Sequence, residues 1–392
     1  MIDFSDIKSE LKALNTKRKI KFSGSSPPEI FVGKHDYPNI YSGILSPMEY
    51  GDTEKFSSPE RWYESKKSIE EITSYRHKLI YSRFKSKVKD VRKSNQLLSA
   101  LNQVSMAKKS VSAEFTLSKP ARFKMIKETS VPFIGNPAPL EKIKIEENPK
   151  IEKKVDYIVS EEKLKASEGI QNLYQAGIEN SNIIKILSAG LLGLKTQRKL
   201  VPTRWAITAT DDIISKAQLS KIRNFKEINE ILSFHGEYLG NHYEILLLPD
   251  KWSFEIIEIS QKSKKVWHDY EGFFSRKNYA DNVTGGYYAA RIGISEYLLR
   301  KQKQATAIIF REVRPEYNVP LGVGILRELV RDITSKEPSK FSSVNEALEE
   351  ISTRLNLNIN EFKNKSILLK EFGKQKKLTD WFIQYKQSKK PL

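Results

Sequence analysis

Alternation between hydrophobic and polar positions is clearest between residues 155 and 335. Residues 161–199 follow a helical period with glycine interruptions, whereas 229–260 carries runs that are rich in β-branched and aromatic residues. Turn signals at Gly240-Asn241 and Pro249-Asp250 separate these runs, so the second stretch predicts a strand meander.

The stretch VPTRWAITATDD at 201–212 is predicted as a turn, a short extended piece and the start of a helix. Ser343 and Glu346 have the spacing of a capping box that opens a later helix. The pattern predicts the other elements in this order: a helix at 283–302, a buried strand at 305–313, and helices at 320–333 and 343–355.

In the N-terminal part of the chain, prolines and glycines interrupt the hydrophobic pattern more often. Residues 24–47 contain prolines and glycine-marked turns, which predict an irregular, aromatic-rich loop with short strands. From about 60 to 110 the apolar spacing becomes helical, and prolines at 130–154 mark either a domain connection or an exposed excursion. These patterns together predict a mixed α+β protein with an antiparallel strand meander and a flexible C-terminal tail.

The amino-acid composition limits the classes of partner and binding site that the protein can have. The 392 residues include 67 Lys and Arg against 48 Asp and Glu, and the formal net charge of +19 attracts polyanions such as nucleic acid. The Lys- and Glu-rich surface of a thermophilic protein is the alternative explanation. The chain has no cysteine, which excludes disulfides, thiolate zinc sites, iron–sulfur clusters and cysteine nucleophiles.

No stretch has the length and composition of a membrane span or an export signal. The N-terminus MIDFSDIKSEL carries acids and no apolar core, and the most apolar stretch, residues 182–194, is too short and contains Lys185. We therefore expect an intracellular, cytoplasmic protein with no membrane partner.

A basic run lies between Arg76 and Lys109, which holds ten Lys or Arg and one acid, Asp90. The spacing predicts a helix that offers a cationic face to a DNA backbone. A solvated surface helix is the alternative. The residues expected to contact DNA are Lys85, Lys87, Lys89 and Arg92, together with Arg204.

Arg204 is followed by Trp205, and a cation beside an aromatic ring suits a phosphate or a flipped base. An Arg that packs on a core Trp and pairs with a carboxylate is the alternative. Asp211 and Asp212 are candidates to bind Mg²⁺ with a carboxylate from elsewhere, and N-capping of a helix by one of them is the alternative. The candidates for the further carboxylate are Glu255, Glu258 and Glu312, and the five histidines show no metal-binding spacing.

The C-terminal stretch KQKKLTDWF places Leu378, Trp381 and Phe382 at i, i+3 and i+4, so one helical turn puts all three on one face. Gln375, one turn earlier, adds amide hydrogen-bonding groups. This spacing resembles the motif that binds the sliding clamp PCNA by docking a short turn into a hydrophobic groove. A C-terminal helix packed on the protein's own body is the alternative.

Several stretches together resemble the archaeal Nre family, whose members are associated with DNA repair and clamp binding. They are SSPPEIFVG at 25–33 with Tyr37-Pro38, VPTRWAITATDD at 201–212, GGYYAAR at 285–291, REVRPEY with PLGV at 311–323, and the tail motif. Many relatives look to carry a zinc-type cysteine cluster near the N-terminus, which this chain lacks. The resemblance therefore does not extend to a thiolate zinc site of that type.

The resemblance implies a larger N-terminal and a smaller C-terminal region. We place a lead-in at 1–20, the N-terminal region at 21–280, the C-terminal region at 281–368 and a clamp-binding tail at 369–392. The implied function is that of a DNA repair factor that binds DNA and is recruited to PCNA. A metal-dependent nuclease or phosphoesterase that acts on damaged or branched DNA, with Mg²⁺ held by the carboxylates above, is the alternative.

Overall fold

A computed structural model describes residues 5–93, 95–124 and 132–374 of the chain. The chain divides into two compact units, each discontinuous in sequence. Unit 1 comprises Met1–Leu219, Tyr288–Glu296 and Glu316–Arg331, and unit 2 comprises Ser220–Tyr287, Tyr297–Pro315 and Asp332–Leu392. The clamp-motif residues Gln375, Leu378, Trp381 and Phe382 lie outside the described residues.

The sheet of unit 1 is formed by β1 (Lys21–Ser26), β2 (Ile30–Val32), β3 (Asn39–Ser46), β4 (Ile80–Lys87), β5 (Val111–Leu117) and β6 (Asn136–Ile145). In the described part of the chain these six strands run in the order β1-β5-β6-β4-β3-β2. Neighbouring strands are antiparallel except β4 and β6, which are parallel.

The helices of this part are α1 (Ser5–Thr16), α2 (Pro59–Glu64), α3 (Ile69–Lys78), α4 (Gln96–Met106), α5 (Lys153–Ser160), α6 (Ala166–Gln175), α7 (Asn180–Ser188) and α8 (Thr203–Ile222). Buried apolar side chains from strands and helices, such as Ile40, Leu101, Phe115 and Leu173, form a hydrophobic core in unit 1. Burial of such side chains is worth about 1.5–3 kcal/mol each, which makes this core the main source of the unit's stability.

The sheet of unit 2 is formed by β7 (Ile231–Tyr238), β8 (Asn241–Leu248), β9 (Ser253–Ser260), β10 (Val266–Glu271), β11 (Thr306–Val313) and β12 (Ser339–Phe341). Among the described residues the strand order is β10-β9-β11-β8-β7-β12. The helices that follow α8 along the chain are α9 (Gly285–Lys301), α10 (Val323–Ile333), α11 (Val344–Arg354), α12 (Ile359–Lys365) and α13 (Leu368–Glu371). None of the helices that the structure describes is long and apolar enough to cross a membrane.

The α+β prediction is confirmed, and the strand order refines the predicted meander. β7 and β8 form the expected hairpin, with Leu239 and Gly240 at positive φ in its turn. β8 and β9 are not neighbours, because β11 lies between them, antiparallel to β8 and parallel to β9. All but the last residue of β11 are buried, and such an apolar strand gains most when both of its edges are paired.

The helix predicted across the basic run is wrong. Residues 80–87 form strand β4, and the following residues Val88–Arg92 form a 3₁₀ turn. Ser82 and Phe84 are buried while Lys85 and Lys87 are exposed, and this period of two is that of a half-buried strand. The helical spacing belongs to α3 and α4, which flank the strand in sequence.

Residues 201–212 contain no extended piece, since α8 begins directly after Pro202. The amide N–H groups of Trp205 and Ala206 both donate to the carbonyl oxygen of Pro202. Proline is tolerated at this position because no intrahelical hydrogen bond requires an N–H there. Asp211 and Asp212 therefore lie two turns inside the helix, and neither caps its N-terminus.

Candidate nucleic-acid interface

Two exposed aromatic rings meet on the surface of unit 1. Tyr37 lies in the turn between β2 and β3, and Trp205 lies in the first turn of α8. Their ring centroids are 5.3 Å apart at an interplanar angle of 48°, and the residues are 41% and 47% exposed. Large aromatic groups that are left in water offer stacking surfaces for bases.

Backbone contacts hold the pair in place. The N–H of Val32, at the end of β2, donates to Thr203 Oγ1 at 2.9 Å, which ties β2 to the start of α8. In the turn itself, Asp36 adopts a φ of 62° and its carbonyl accepts from the N–H of Asn39 at 2.7 Å. The N–H of Val88 donates to the carbonyl of Pro38 at 3.0 Å, so the turn also touches the basic segment.

Cations line the neighbouring strands. Lys85 lies opposite Tyr41 in the β3–β4 register, and Arg83 lies opposite Gly43. The Arg83 guanidinium carbon is 4.3 Å from the Tyr41 ring centroid, and Lys85 Nζ is 5.3 Å from the same centroid. A Cβ on Gly43 would come within 2.3 Å of the Ser82 carbonyl oxygen, so only glycine lets the two strands approach this closely.

The 3₁₀ turn after β4 extends the basic surface. Arg92 Nε donates to the carbonyl of Arg198 at 3.0 Å, which fixes the arginine stem. Asp90 accepts from Lys93 Nζ and from the N–H of Lys87, and these bonds hold the pKa of its carboxyl below the usual value. Within the described ranges, the exposed cations Lys85, Lys87, Lys89 and Arg92 form no ion pair with a carboxylate. Their charges are therefore available to phosphates.

Arg204 is half-buried at the start of α8 and pairs with no carboxylate among the residues that the structure describes. Trp205 is not a core residue, so the packed Arg–Trp arrangement considered from the sequence is wrong. Sequence reasoning named Tyr37 only as part of the family resemblance, and it did not single out Tyr41 or Arg83. The period-two alternation of β4 is the signal that would have found Arg83.

The aspartates proposed as magnesium ligands are ion-pair partners in unit 1. Asp211 is fully buried and accepts from Arg327 Nε at 3.0 Å and Nη2 at 2.8 Å, a bidentate pair. The Asn180 side chain donates to the same carboxylate at 3.2 Å. Asp212 pairs with buried Arg291 and with Lys216 at 2.7 Å.

The candidate glutamates of unit 2 likewise accept hydrogen bonds from neighbouring groups of the protein. Glu255 accepts from His268 Nε2 at 2.7 Å and from the hydroxyl of Ser366, and Glu258 accepts from Arg311 at 2.7 Å. Burial raises the pKa of Glu312, but hydrogen bonds from Gln261, Arg314 and two backbone N–H groups outweigh it and hold the pKa below its usual value. In the ranges described, no three His, Asp or Glu side chains form a group that could hold a metal ion. Magnesium binding stays a prediction.

The N-terminal model of the archaeal Nre family matches residues 4–268, and its C-terminal model matches residues 271–381. The chain belongs to the archaeal Nre family. It is 35% identical over 366 residues to the DNA repair protein NreB of Archaeoglobus fulgidus, with 91% of each chain covered. No solved structure matches it.

Two further relatives carry related names. The DNA repair protein NreA of Archaeoglobus fulgidus is 37% identical over 338 residues, which is 84% of each chain. The DNA repair protein NreA of Haloferax volcanii is 30% identical over 361 residues, covering 88% of this chain and 86% of the relative. The Nre-like stretches 25–33 and 201–212 contribute β2 and the start of α8, the elements that carry and flank the aromatic pair.

The buried pair predicts a stability effect. Asp211→Asn leaves the Arg327 guanidinium buried without its counter-charge, and loss of one partner of a buried pair costs about 3–5 kcal/mol. Urea denaturation measures this free energy of unfolding. Glu162→Gln is the control, because Glu162 pairs with Lys195 on the surface of the same unit, where an ion pair contributes only about 0–1 kcal/mol. An Asp211→Asn protein as stable as the parent would mean that the aspartate is held for another purpose, such as metal binding.

Proposed function

We propose that this chain is a DNA repair factor that binds DNA through the surface formed by Tyr37, Trp205 and the basic segment from Arg83 to Arg92. We also propose that its C-terminal motif recruits it to the sliding clamp PCNA. The observation that carries the first proposal is the exposed Tyr37–Trp205 pair beside cations without counter-charges. The names of the relatives, all DNA repair proteins, support the repair role.

The chemistry of the surface favours unpaired DNA. Arg83, Lys85 and Lys87 project from alternate positions of one strand, about 6.7 Å apart along it, and can follow a phosphate backbone. Two rings that stand side by side stack on exposed bases, which a single strand or a distorted duplex provides and an intact duplex hides. Arg204 adds a further cation next to the rings.

The proposed recruitment rests on the spacing of the tail motif. Leu378, Trp381 and Phe382 each contribute about 1.5–3 kcal/mol when buried in a groove. Ordering the segment on binding costs about 2–5 kcal/mol, so the expected contact is a transient tether. The carboxylates of the nuclease hypothesis serve as ion-pair partners, so no observation favours that second function.

Charge reversal tests the basic surface. Replacing Lys85, Lys87, Lys89 and Arg92 with Glu removes up to four phosphate contacts, and the salt dependence of log K for single-stranded DNA should become shallower by about three units. Fluorescence anisotropy over a salt series measures this slope. The matched control reverses the exposed lysines Lys262, Lys264, Lys265 and Lys277 of unit 2. If both proteins lose affinity equally, net charge and not this surface attracts DNA.

Substitution of the rings tests base stacking. Trp205→Ala and Tyr37→Ala should each weaken single-stranded DNA binding by about 1–3 kcal/mol, with a smaller effect on intact duplex. Trp205→Phe should retain most of the affinity, because it keeps an aromatic face. Phe274→Ala removes an even more exposed ring from unit 2 and serves as the control. An unchanged affinity in the Trp205→Ala protein would reject stacking at this pair.

The clamp contact is testable with the tail alone. A peptide that spans Lys370 to Leu392 should bind PCNA saturably in a calorimetric titration, and Phe382→Ala should cost about 2 kcal/mol or more, as expected for a buried aromatic anchor. Leu378→Ala should cost somewhat less. A peptide of the same composition in shuffled order is the control. Absence of saturable binding would end the recruitment proposal and leave DNA binding untouched.

A further inference from the structure

A polar cavity lies in unit 1 beside the N-terminus of α7, away from the residues assigned above. Its volume is about 200 Å³. This volume is larger than the space of about 15 Å³ that one water molecule needs. It is smaller than the about 300–1,000 Å³ of pockets that bind drug-sized ligands. A sugar-sized molecule fits such a space. The wall is formed by Pro28, Glu54, Ser57, Ser58, Arg61, Lys108, Glu152, Gly177, Glu179, Ser181, Asn182 and Lys185.

Two of the three cations in this wall have partners. Arg61 pairs with Glu54, and Lys108 Nζ lies 2.8 Å from a carboxylate oxygen of Glu152. Lys185 differs from both: it is 5% exposed, and it forms no hydrogen bond or ion pair with any residue in the described ranges. A buried ammonium group without a bonded partner is costly. Lys185 thus lines the cavity with no group of the described residues bonded to its amine.

The surroundings of Lys185 oppose its charged form. Burial lowers the pKa of Lys185, although the carboxylates of Glu29, Glu60, Glu179 and Glu54 act to raise it. Burial also raises the pKa of Glu179, with a further contribution from Glu60. Burial thus shifts the amine and the carboxyl toward their neutral forms in one cavity. Shifts of this kind, in opposite directions and at one cavity, are typical of sites that carry out proton transfer or nucleophilic attack.

We propose that Lys185 is the reactive amine of a second site, which holds a small aldehyde in this cavity as an imine. The nitrogen lone pair forms a bond to the carbonyl carbon, and the electrons of the C=O double bond move to oxygen, which takes a proton from the nitrogen. The Glu179 carboxyl then protonates the hydroxyl, which leaves as water while the C=N bond forms. Amine, aldehyde and one proton become a protonated imine and water.

The aldehyde has two possible sources. The ring-opened sugar of an abasic nucleotide is an aldehyde of the right size that DNA damage produces, and this source rests on the proposed repair function. A free sugar-like aldehyde offers the same carbonyl group and does not depend on DNA binding. Both make the same covalent bond to Lys185.

Reductive trapping tests the proposal on the unmodified full-length chain. Borohydride converts an imine to a stable secondary amine, and peptide mass spectrometry then identifies the modified lysine. The three arms contain a single-stranded oligonucleotide with one abasic site, the same oligonucleotide without it, and free 2-deoxyribose. An adduct at Lys185 in the abasic arm supports the DNA source, and one with deoxyribose alone supports the free aldehyde. No adduct at Lys185 in either arm would overturn the proposal.

Variants and pH separate a reactive site from chance labelling. Lys185→Arg should abolish the adduct, whereas Lys108→Arg, in the same wall, should keep it. Each unit by which the pKa falls increases the neutral amine about tenfold at neutral pH. Trapping at Lys185 should therefore rise at a lower pH than trapping at the exposed Lys144, and equal profiles would identify Lys185 as an ordinary amine. If the Lys185 adduct is absent while DNA binding persists, this inference fails and the proposed function stands.

Discussion

The buried ion pair between Asp211 and Arg327 sets the arrangement on which both sites of unit 1 depend. It joins α8 to α10, and Asn180 connects the same carboxylate to the first turn of α7. Arg331 then donates to Asn180 at 2.9 Å and to Glu296 on α9 at 2.6 Å. Each buried charge needs the other as its partner, so the pair constrains how α8 and α10 face each other. The network therefore orients α8, which carries Trp205, and α7, which carries Lys185.

This network also explains how much the sequence could predict. Elements with a local signal were recovered, among them α9, α11 with its Ser343 cap, and the hairpin of β7 and β8. The position of Asp211 was not recovered. Burial of an aspartate inside a helix costs free energy unless a distant residue compensates its charge. The compensating Arg327 lies 116 residues later in the chain. No periodicity or capping rule within a short window contains that information.

The sequence was equally limited in predicting which charged side chains are exposed and unpaired. A net charge of +19 predicted an affinity for polyanions without telling which cations are free to act. Arg291, Arg311 and Arg327 are buried and bound to carboxylates, so they contribute little to the field outside. Lys85 and Lys87 were singled out from a basic run whose predicted helix was wrong. Their strand nevertheless exposes them, because alternate positions of β4 must face water while Ser82 and Phe84 face the interior.

The buried cations among the described residues thus fall into two kinds. The arginines are held at bonding distance by carboxylates, and loss of a partner would leave a charge that the interior cannot solvate. Lys185 lies among carboxylates without bonding to one, although α7 places it in an apolar helix where a methionine would pack at lower cost. An amine relieves that cost by releasing its proton, which a guanidinium cannot do. The state that burial favours for Lys185 is therefore the nucleophilic one, whereas its charged form balances the carboxylate of Glu29, whose pKa burial raises although the lysine acts to lower it.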